Sequence, residues 1–377
     1  MSKEHLTYFK VENFKRFDVL ELTDIGQFNL IVGDNNVGKT SVLEALLVTL
    51  HGSETMFNYH KTLGLRGIEL NAKRKLDLEG NVTHVDYPTE NYANYLLREK
   101  SKPLVVRFKI PMDDSDGIHI HEVGFINIKR PGEFEFRFVG FEKTDLPDST
   151  SPYQCKVVNS VNEVSFNLHQ DDLNNAYQNR YLPIVLFRPK KAAEIFSDFQ
   201  KNIGKSRKLR DEFIANLRFI LPHIEEIQSL EIGGSDVLAI GLKGEDEFTP
   251  LNAFGEGTQR TFEILIEILK NKNARLAIDE IDTGIHFSKL KSLLKSIVNL
   301  AELNDVQLFL TTHSLECQQA FTEVFEDPDM VQHQTNVRQF SLLEKPDGQV
   351  VANVHNFEQL QYALEIGFET RGGKRGW

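Results

Sequence analysis

Gly33-Asp34-Asn35-Asn36-Val37-Gly38-Lys39-Thr40 lies between the apolar run Phe28–Val32 and a stretch, Thr40–Leu50, in which Val42, Leu43, Leu46, Leu47 and Leu50 recur at helical spacing. A short buried strand, a glycine-bearing loop matching GxxxxGK(S/T) and a helix, in that order, specify a phosphate cradle. The glycines let the backbone curl until successive N–H groups point inward at phosphate oxygens. The helix start adds unpaired donors and a favourable dipole. The candidate nucleotide contacts are therefore Gly33, Asn35, Asn36, Val37, Gly38, Lys39, Thr40 and Ser41. Lys39 is expected to neutralise the β- and γ-phosphates of ATP, and the Thr40 hydroxyl to ligate Mg2+.

Three later elements complete a hydrolytic pattern. Leu276-Ala277-Ile278-Asp279-Glu280 is an apolar strand ending in two carboxylates. Asp279 is expected near the metal through its water shell, leaving Glu280 to polarise the attacking water. Phe254-Gly255-Glu256-Gly257-Thr258-Gln259-Arg260 opens the apolar-periodic helix Phe262–Leu269 and offers a second anion site. Thr311-Thr312-His313-Ser314 follows the apolar strand Val306–Leu310 and sets His313 to contact a γ-phosphate, where its protonation near neutral pH would matter. Each of these alone reads equally as an ordinary strand end, helix start or surface histidine. Order and spacing change that: the glycine stretch begins 24 residues before Asp279, and His313 follows Glu280 by 33.

Composition sets the bounds. The 377 residues suffice for one large or two ordinary domains, and 40 % hydrophobic with 26 % charged residues is a globular balance. No apolar run approaches the roughly 20 residues a membrane span needs. The polar start Met1-Ser2-Lys3-Glu4-His5 predicts no secretory leader, and two isolated cysteines, Cys155 and Cys317, suit a reducing cytoplasm. A net charge of −12 argues against a surface basic all over, yet Arg188–Arg210 carries Lys190, Lys191, Lys201, Lys205, Arg207 and Lys208 against only Glu194 and Asp198. That stretch reads either as a DNA-binding face or as a solvated helix.

The rest of the chain organises around these motifs. Tyr8–Val11 and Val19–Leu22 alternate as strands, and so do Leu104–Ile110, Ile118–Ile128, Phe134–Phe138 and Val157–Leu168. Pro183–Phe187 is a short strand, and Lys191 to about Ile224 is helical by its apolar spacing. The expected division is 1–55 for the phosphate-loop part, 56–182 for a β-rich insertion, 183–230 for a helical lid and 231–377 for the remaining core. Neither repeats nor sustained heptads are present.

In this order the motifs resemble the ABC ATPase superfamily: Walker A, signature loop, Walker B with its glutamate, a D-loop at Ile281-Asp282-Thr283-Gly284-Ile285-His286, and an H-loop. The resemblance covers Tyr8–His51 and Glu231–Arg371. The RecF/SMC/OLD-like branch is favoured by Asn13-Phe14-Lys15-Arg16-Phe17, similar to an element that brings Lys15 and Arg16 to the nucleotide, and by the absence of a transporter-like coupling segment. Two departures stand out: Gly255 occupies the place of the signature serine, and Arg188-Pro189-Lys190 ends a strand where a Q-loop glutamine would be expected.

The resemblance implies an α/β P-loop NTPase with ATP and Mg2+ as its ligands. Phe254, Gly255, Glu256, Gly257 and Asp282 of one copy would close over ATP held by another, making ATP the bridge of a homodimer or higher oligomer. It also implies either a stand-alone scaffold for a separate nuclease or toxin effector in anti-phage defence, as in PARIS-like systems, without a TOPRIM module, or a RecF-like ATPase acting on DNA. A membrane partner is not expected. Glu326-Asp327-Pro328-Asp329 contains a DxD but reads as an acidic loop rather than a nuclease centre.

Overall fold

The computed structural model describes residues 5–47, the strands lying between 73 and 166 as backbone, residues 96 and 98, and residues 184–371 except 188, 189 and 369. The chain begins with the hairpin β1 (Tyr8–Phe14) and β2 (Phe17–Leu22), then β3 (Phe28–Gly33) and α1 (Lys39–Ala45). The ribbon β4 (Lys73–Leu76) and β5 (Val82–Asp86) precedes β6 (Leu104–Ile110), β7 (His119–Asn127), β8 (Phe134–Gly140), β9 (Tyr153–Ser160) and β10 (Glu163–Phe166). Next come β11 (Ile184–Leu186), α2 (Ala192–Phe199), a π-helical turn at Gln200–Gly204, and α3 (Arg207–Leu217). A small sheet follows, made of β12 (Ile224–Ile232), β13 (Ser235–Leu242) and β14 (Thr249–Pro250). The last third contains α4 (Glu256–Lys270), β15 (Arg275–Ile278), α5 (Phe287–Leu303), β16 (Gln307–Thr312), α6 (Leu315–Glu326), β17 (Val337–Glu344), β18 (Val350–Asn356) and α7 (Phe357–Glu365).

The central sheet has the order β11-β15-β16-β3-β17-β18, parallel except for β18. Strands β3, β15 and β16 are buried at every position, as parallel strands covered on both faces must be. One face packs on α5 and α6 through Leu294, Ile297, Phe321 and Phe325. The other packs on α1 and the N-terminal hairpin through Ile31, Val42, Leu43, Phe9 and Leu20. Register then matters for function. Ile278 pairs with Leu310 and Thr311 with Ile31, so β3, β15 and β16 end side by side. Their carboxyl ends are where an open α/β sheet places its ligand.

The second large sheet takes strands from two of the expected segments. Its order is β10-β9-β8-β7-β6-β1-β2, and β6 pairs antiparallel with β1, Phe108 opposite Phe9. The β-rich region thus continues the N-terminal hairpin instead of standing apart from it, because the free edge of β1 is satisfied by β6. The stretch expected as one strand, Val157–Leu168, is a tight hairpin in which Glu163 pairs with Ser160.

The span 183–230 is likewise not all lid. β11 pairs with β15 in the core sheet, Val185 opposite Leu276, and residues from Ile224 onward form β12. The helix expected from Lys191 to about Ile224 is broken twice. The π-turn at Gln200–Gly204 interrupts it, and Ser206 restarts it by accepting a bond from Leu209 N. Helix α3 then ends at Leu217, ahead of Pro222. Phe199, Phe213 and Phe262 stack edge-to-face at 5.6 and 5.5 Å, fastening α2 and α3 to α4. Of the predicted helix Thr40–Leu50, residues 39–45 are helical, 46 and 47 form a turn, and 48–50 lie outside the described residues.

Candidate functional site

The loop after β3 is built from positions that only particular residues tolerate. Gly38 has φ +111°, and a Cβ there would stand 2.8 Å from the Phe17 ring. Asn36 is also left-handed, at φ +65°. Val37 buries its side chain in the core, pinning the loop from below, while Asn35 is exposed. Arg16 braces the outer side, donating to Asn36 O and, at 2.7 Å, to Glu344 Oε2. Lys39 is buried, and its Nζ crosses the loop to Gly33 O at 2.8 Å and Asp34 O at 3.0 Å. Burial pushes the Lys39 pKa down, while Asp279, Glu280, Asp34 and Asp282 push it up. Its ammonium therefore sits among the carboxylates of the downstream motif.

That motif meets the loop directly. Thr40 Oγ1 donates to Asp279 Oδ2 at 2.7 Å, and Thr311 Oγ1 donates to Asp279 Oδ1 at 2.6 Å. Thr311 Oγ1 in turn accepts from Glu280 N at 2.8 Å. Glu280 is left-handed at φ +46°, a conformation a glutamate does not adopt without a surrounding structure that holds it. Thr283 Oγ1 donates to Glu280 Oε2 at 3.3 Å, and Thr312 Oγ1 to Asp282 Oδ1 at 2.8 Å. Ser41 occupies the third position of α1.

His313 is exposed at the end of β16, and its carbonyl accepts from Arg371 at 3.3 Å. Ser314 beside it caps α6 by accepting from Cys317 N. The Cys317 thiol is buried and pushed up to about 12 by desolvation, so it is no nucleophile.

The donor chemistry suits Mg2+. A threonine hydroxyl and a carboxylate oxygen converge, both hard oxygen ligands, and Mg2+ usually takes few protein ligands beside substrate phosphates and water.

The glycine stretch opens α4. Gly255 is the N-cap, and nothing among the described residues stands within 4 Å of where its Cβ would be. Gly257 is crowded: a Cβ there would be 2.6 Å from Gly284 O of the D-loop segment. Phe254 O accepts from Gln259 Nε2 at 2.9 Å, and Glu256 is exposed in the first turn.

Lys15, expected near the nucleotide, has a protein partner in this structure. Its ammonium is ion-paired with Glu44, a fully buried carboxylate on α1. A buried carboxylate needs a compensating charge, and Lys15 supplies one.

Three participants had no signal of their own in the sequence. Thr311 and Glu44 serve through partners far along the chain. Arg260 sends Nη2 to the carbonyls of Asp279 and Glu280 at 2.9 and 2.8 Å. Its place just after a glycine stretch was visible, but nothing in the sequence names those carbonyls as its partners.

Elsewhere, the basic stretch loses one member. Lys190 is buried against Asp198, at 2.6 Å, and Glu267. Lys191, Lys201, Lys205, Arg207, Lys208 and Arg210 are exposed, whereas residue 188 lies outside the described residues. Asp327 and Asp329 are held by Lys295 at 2.7 and 2.9 Å, with Lys291 at 3.0 Å from Asp327. Two lysines thus neutralise that acidic pair. Among the described residues no helix is long and apolar enough to cross a membrane.

The AAA ATPase domain family matches residues 5–317, and the chain belongs to it; it is an ATPase. An ATP/GTP phosphatase of Helicobacter pylori is 22 % identical over 401 residues, covering 94 % of this chain and 97 % of that protein. Among solved structures, the Smc head domain of Pyrococcus furiosus, with an extended coiled coil and bound to the C-terminal domain of ScpA, superimposes with a TM-score of 0.50 at 12 % identity. That match covers 97 % of this chain and all of the other, 100 %. The SMC head domain of Thermotoga maritima gives a TM-score of 0.46 at 10 % identity, over 93 % and 99 % of the two chains. The fold is that of an α/β P-loop NTPase of the SMC-head kind.

Proposed function

We propose that this AAA ATPase domain protein holds Mg2+-ATP on Gly33–Thr40, hydrolyses it with Glu280, and uses ATP to join two copies head to tail. The observation that carries the reading is the bond of Thr40 to Asp279, with Asp279 and Glu280 joined in turn at the Thr311 hydroxyl. Mg2+, when bound, supplies positive charge to the phosphate oxygens, with Thr40 and Asp279 as its protein partners. Lys39 neutralises phosphate charge. Glu280, oriented by Thr283, takes a proton from the water that attacks the γ-phosphorus as the bond to the bridging oxygen breaks. His313 at the end of β16 contacts the γ-phosphate. The relative's description as an ATP/GTP phosphatase supports nucleoside triphosphate hydrolysis and makes GTP the second substrate to assay.

Gly255 supports the dimer. Its open N-cap leaves the amides at the start of α4 accessible to a second copy's phosphates, and symmetry gives each copy the same contact. Hydrolysis would remove the bridge, so the protein would report its nucleotide state as assembly. In that role it is a switchable scaffold for a separate effector, a nuclease or toxin of anti-phage defence. The neutralised Asp327–Asp329 loop supports placing such chemistry on a partner. A second reading, direct action on DNA, is favoured by the exposed cations from Lys191 to Arg210.

The test is Glu280→Gln. With Mg2+-ATP it should accumulate as a dimer by light scattering while the wild type cycles between forms. Wild-type turnover by the variant would sink the assignment of Glu280.

A further inference from the structure

The first turns of α4 are fastened to the segment carrying Glu280 at two points. At Gly257 the helix backbone touches Gly284 O, close enough that a Cβ would stand 2.6 Å from it. One turn on, Arg260 Nη2 donates to both Asp279 O, at 2.9 Å, and Glu280 O, at 2.8 Å. Those carbonyls flank the left-handed Glu280. The guanidinium lies 5.4 Å from the centre of the Phe187 ring, and its Nε is buried with no hydrogen-bond partner among the described residues. An unpaired buried donor and a left-handed glutamate are each unfavourable locally, and they meet here at one contact.

The same helix face continues the connection. Glu263 accepts from Lys190 N at 3.1 Å, and Glu267 pairs with Lys190 Nζ, which also holds Asp198 of α2. Positions 260, 263 and 267 lie one above another on a helix.

We propose that Arg260 is a positioning residue that holds the Asp279–Glu280 backbone, and through it the Glu280 carboxylate, in the orientation hydrolysis requires. It makes the α4 N-terminus and the catalytic segment one rigid piece. Phosphate bound at Gly255–Gly257 from a second copy is thereby reported to this copy's own Glu280. The inference rests on Glu280 being the hydrolytic carboxylate.

Arg260→Met keeps an unbranched side chain of similar length but loses the guanidinium and donates to neither carbonyl. Arg260→Lys can donate to both. Measured beside Glu280→Gln, Arg260→Met should lower kcat at least about tenfold with nucleotide Kd within about twofold and Tm near wild type, and Arg260→Lys should recover most of the loss. Wild-type kcat in Arg260→Met overturns the proposal. So does a parallel fall of kcat, affinity and Tm that lysine does not rescue, since that is the signature of a purely structural arginine. If Glu280→Gln itself turns over at the wild-type rate, the reading of Glu280 fails instead, and the two failures stay distinguishable.

Discussion

Thr40 Oγ1 donates to Asp279 Oδ2 across 2.7 Å of space and 239 positions of sequence. The phosphate loop and the acidic strand end are therefore parts of one hydrogen-bonded unit, with Thr311 closing it from the neighbouring strand. Changes to either part should be felt in the other.

Lys39→Ala removes the ammonium that bridges Gly33 O and Asp34 O and, on the proposed reading, neutralises phosphate charge. Removing a charge-assisted hydrogen bond of this kind costs about 2–3 kcal/mol, roughly 30- to 150-fold in ATP affinity. Titration calorimetry with ATP checks this, and an unchanged Kd would refute the role given to Lys39.

Thr311→Val keeps the shape of a fully buried side chain but removes the hydroxyl that serves Asp279 and Glu280 N. Losing these two part-buried hydrogen bonds costs about 1–3 kcal/mol in all, to be seen as a lower urea midpoint with unchanged slope. Turnover should fall as well, and Thr311→Ser should restore both. A valine variant as stable and active as wild type would contradict the argument.

Gly257→Ala and Gly255→Ala should behave differently. At 257 the new Cβ meets Gly284 O at 2.6 Å, whereas at 255 it meets nothing among the described residues within 4 Å. The first should cost about 1–3 kcal/mol of stability by overpacking, the second no more than about 1 kcal/mol as a poorer helix cap. Thermal unfolding of the two variants side by side decides it; equal losses would mean that α4 yields at Gly257.

Acid should unfold the protein partly through Asp198 and Asp327. The pKa of each is lowered in the fold, Asp198 by its bonds to Lys190 against the opposing effect of burial, Asp327 chiefly by Lys295. A depressed carboxylate contributes stability above its unfolded value of 3.8 and loses it as pH falls through the folded value. Asp327→Asn should therefore flatten the stability profile below about pH 4. An unaltered slope in that window would remove Asp327 from the account.

If the exposed lysines and arginines grip DNA, affinity should drop steeply with salt. Replacing Lys201, Lys205 and Lys208 with glutamine should reduce the slope of log K against log salt by about 0.9 for each phosphate no longer neutralised. Binding that ignores salt, or no binding with ATP present, would leave the scaffold reading alone.

The phosphate loop was legible because its chemistry is contiguous: eight neighbouring residues carry the curl, the donors and the charge. The order of the other motifs was legible for the same reason, each being a strand end or helix start. Lys15 shows the limit of that method. Its neighbours suggested a nucleotide contact, and nothing among them names Glu44, the buried carboxylate with which it is ion-paired. The helical stretch from Lys191 was legible only in part, since the backbone leaves the α-helical form at Gln200–Gly204 and again after Leu217.

The sequence by itself determined the fold class and the parts of the candidate nucleotide site, since strand, loop and helix patterning and local donor chemistry are properties of short segments. Only the tertiary structure decided that β6 extends the N-terminal hairpin, that Thr311 serves both acidic residues, and that Arg260 grips the Glu280 backbone. Those choices follow from strand register and through-space packing. They select partners by proximity in the folded chain, including backbone carbonyls that every residue carries alike.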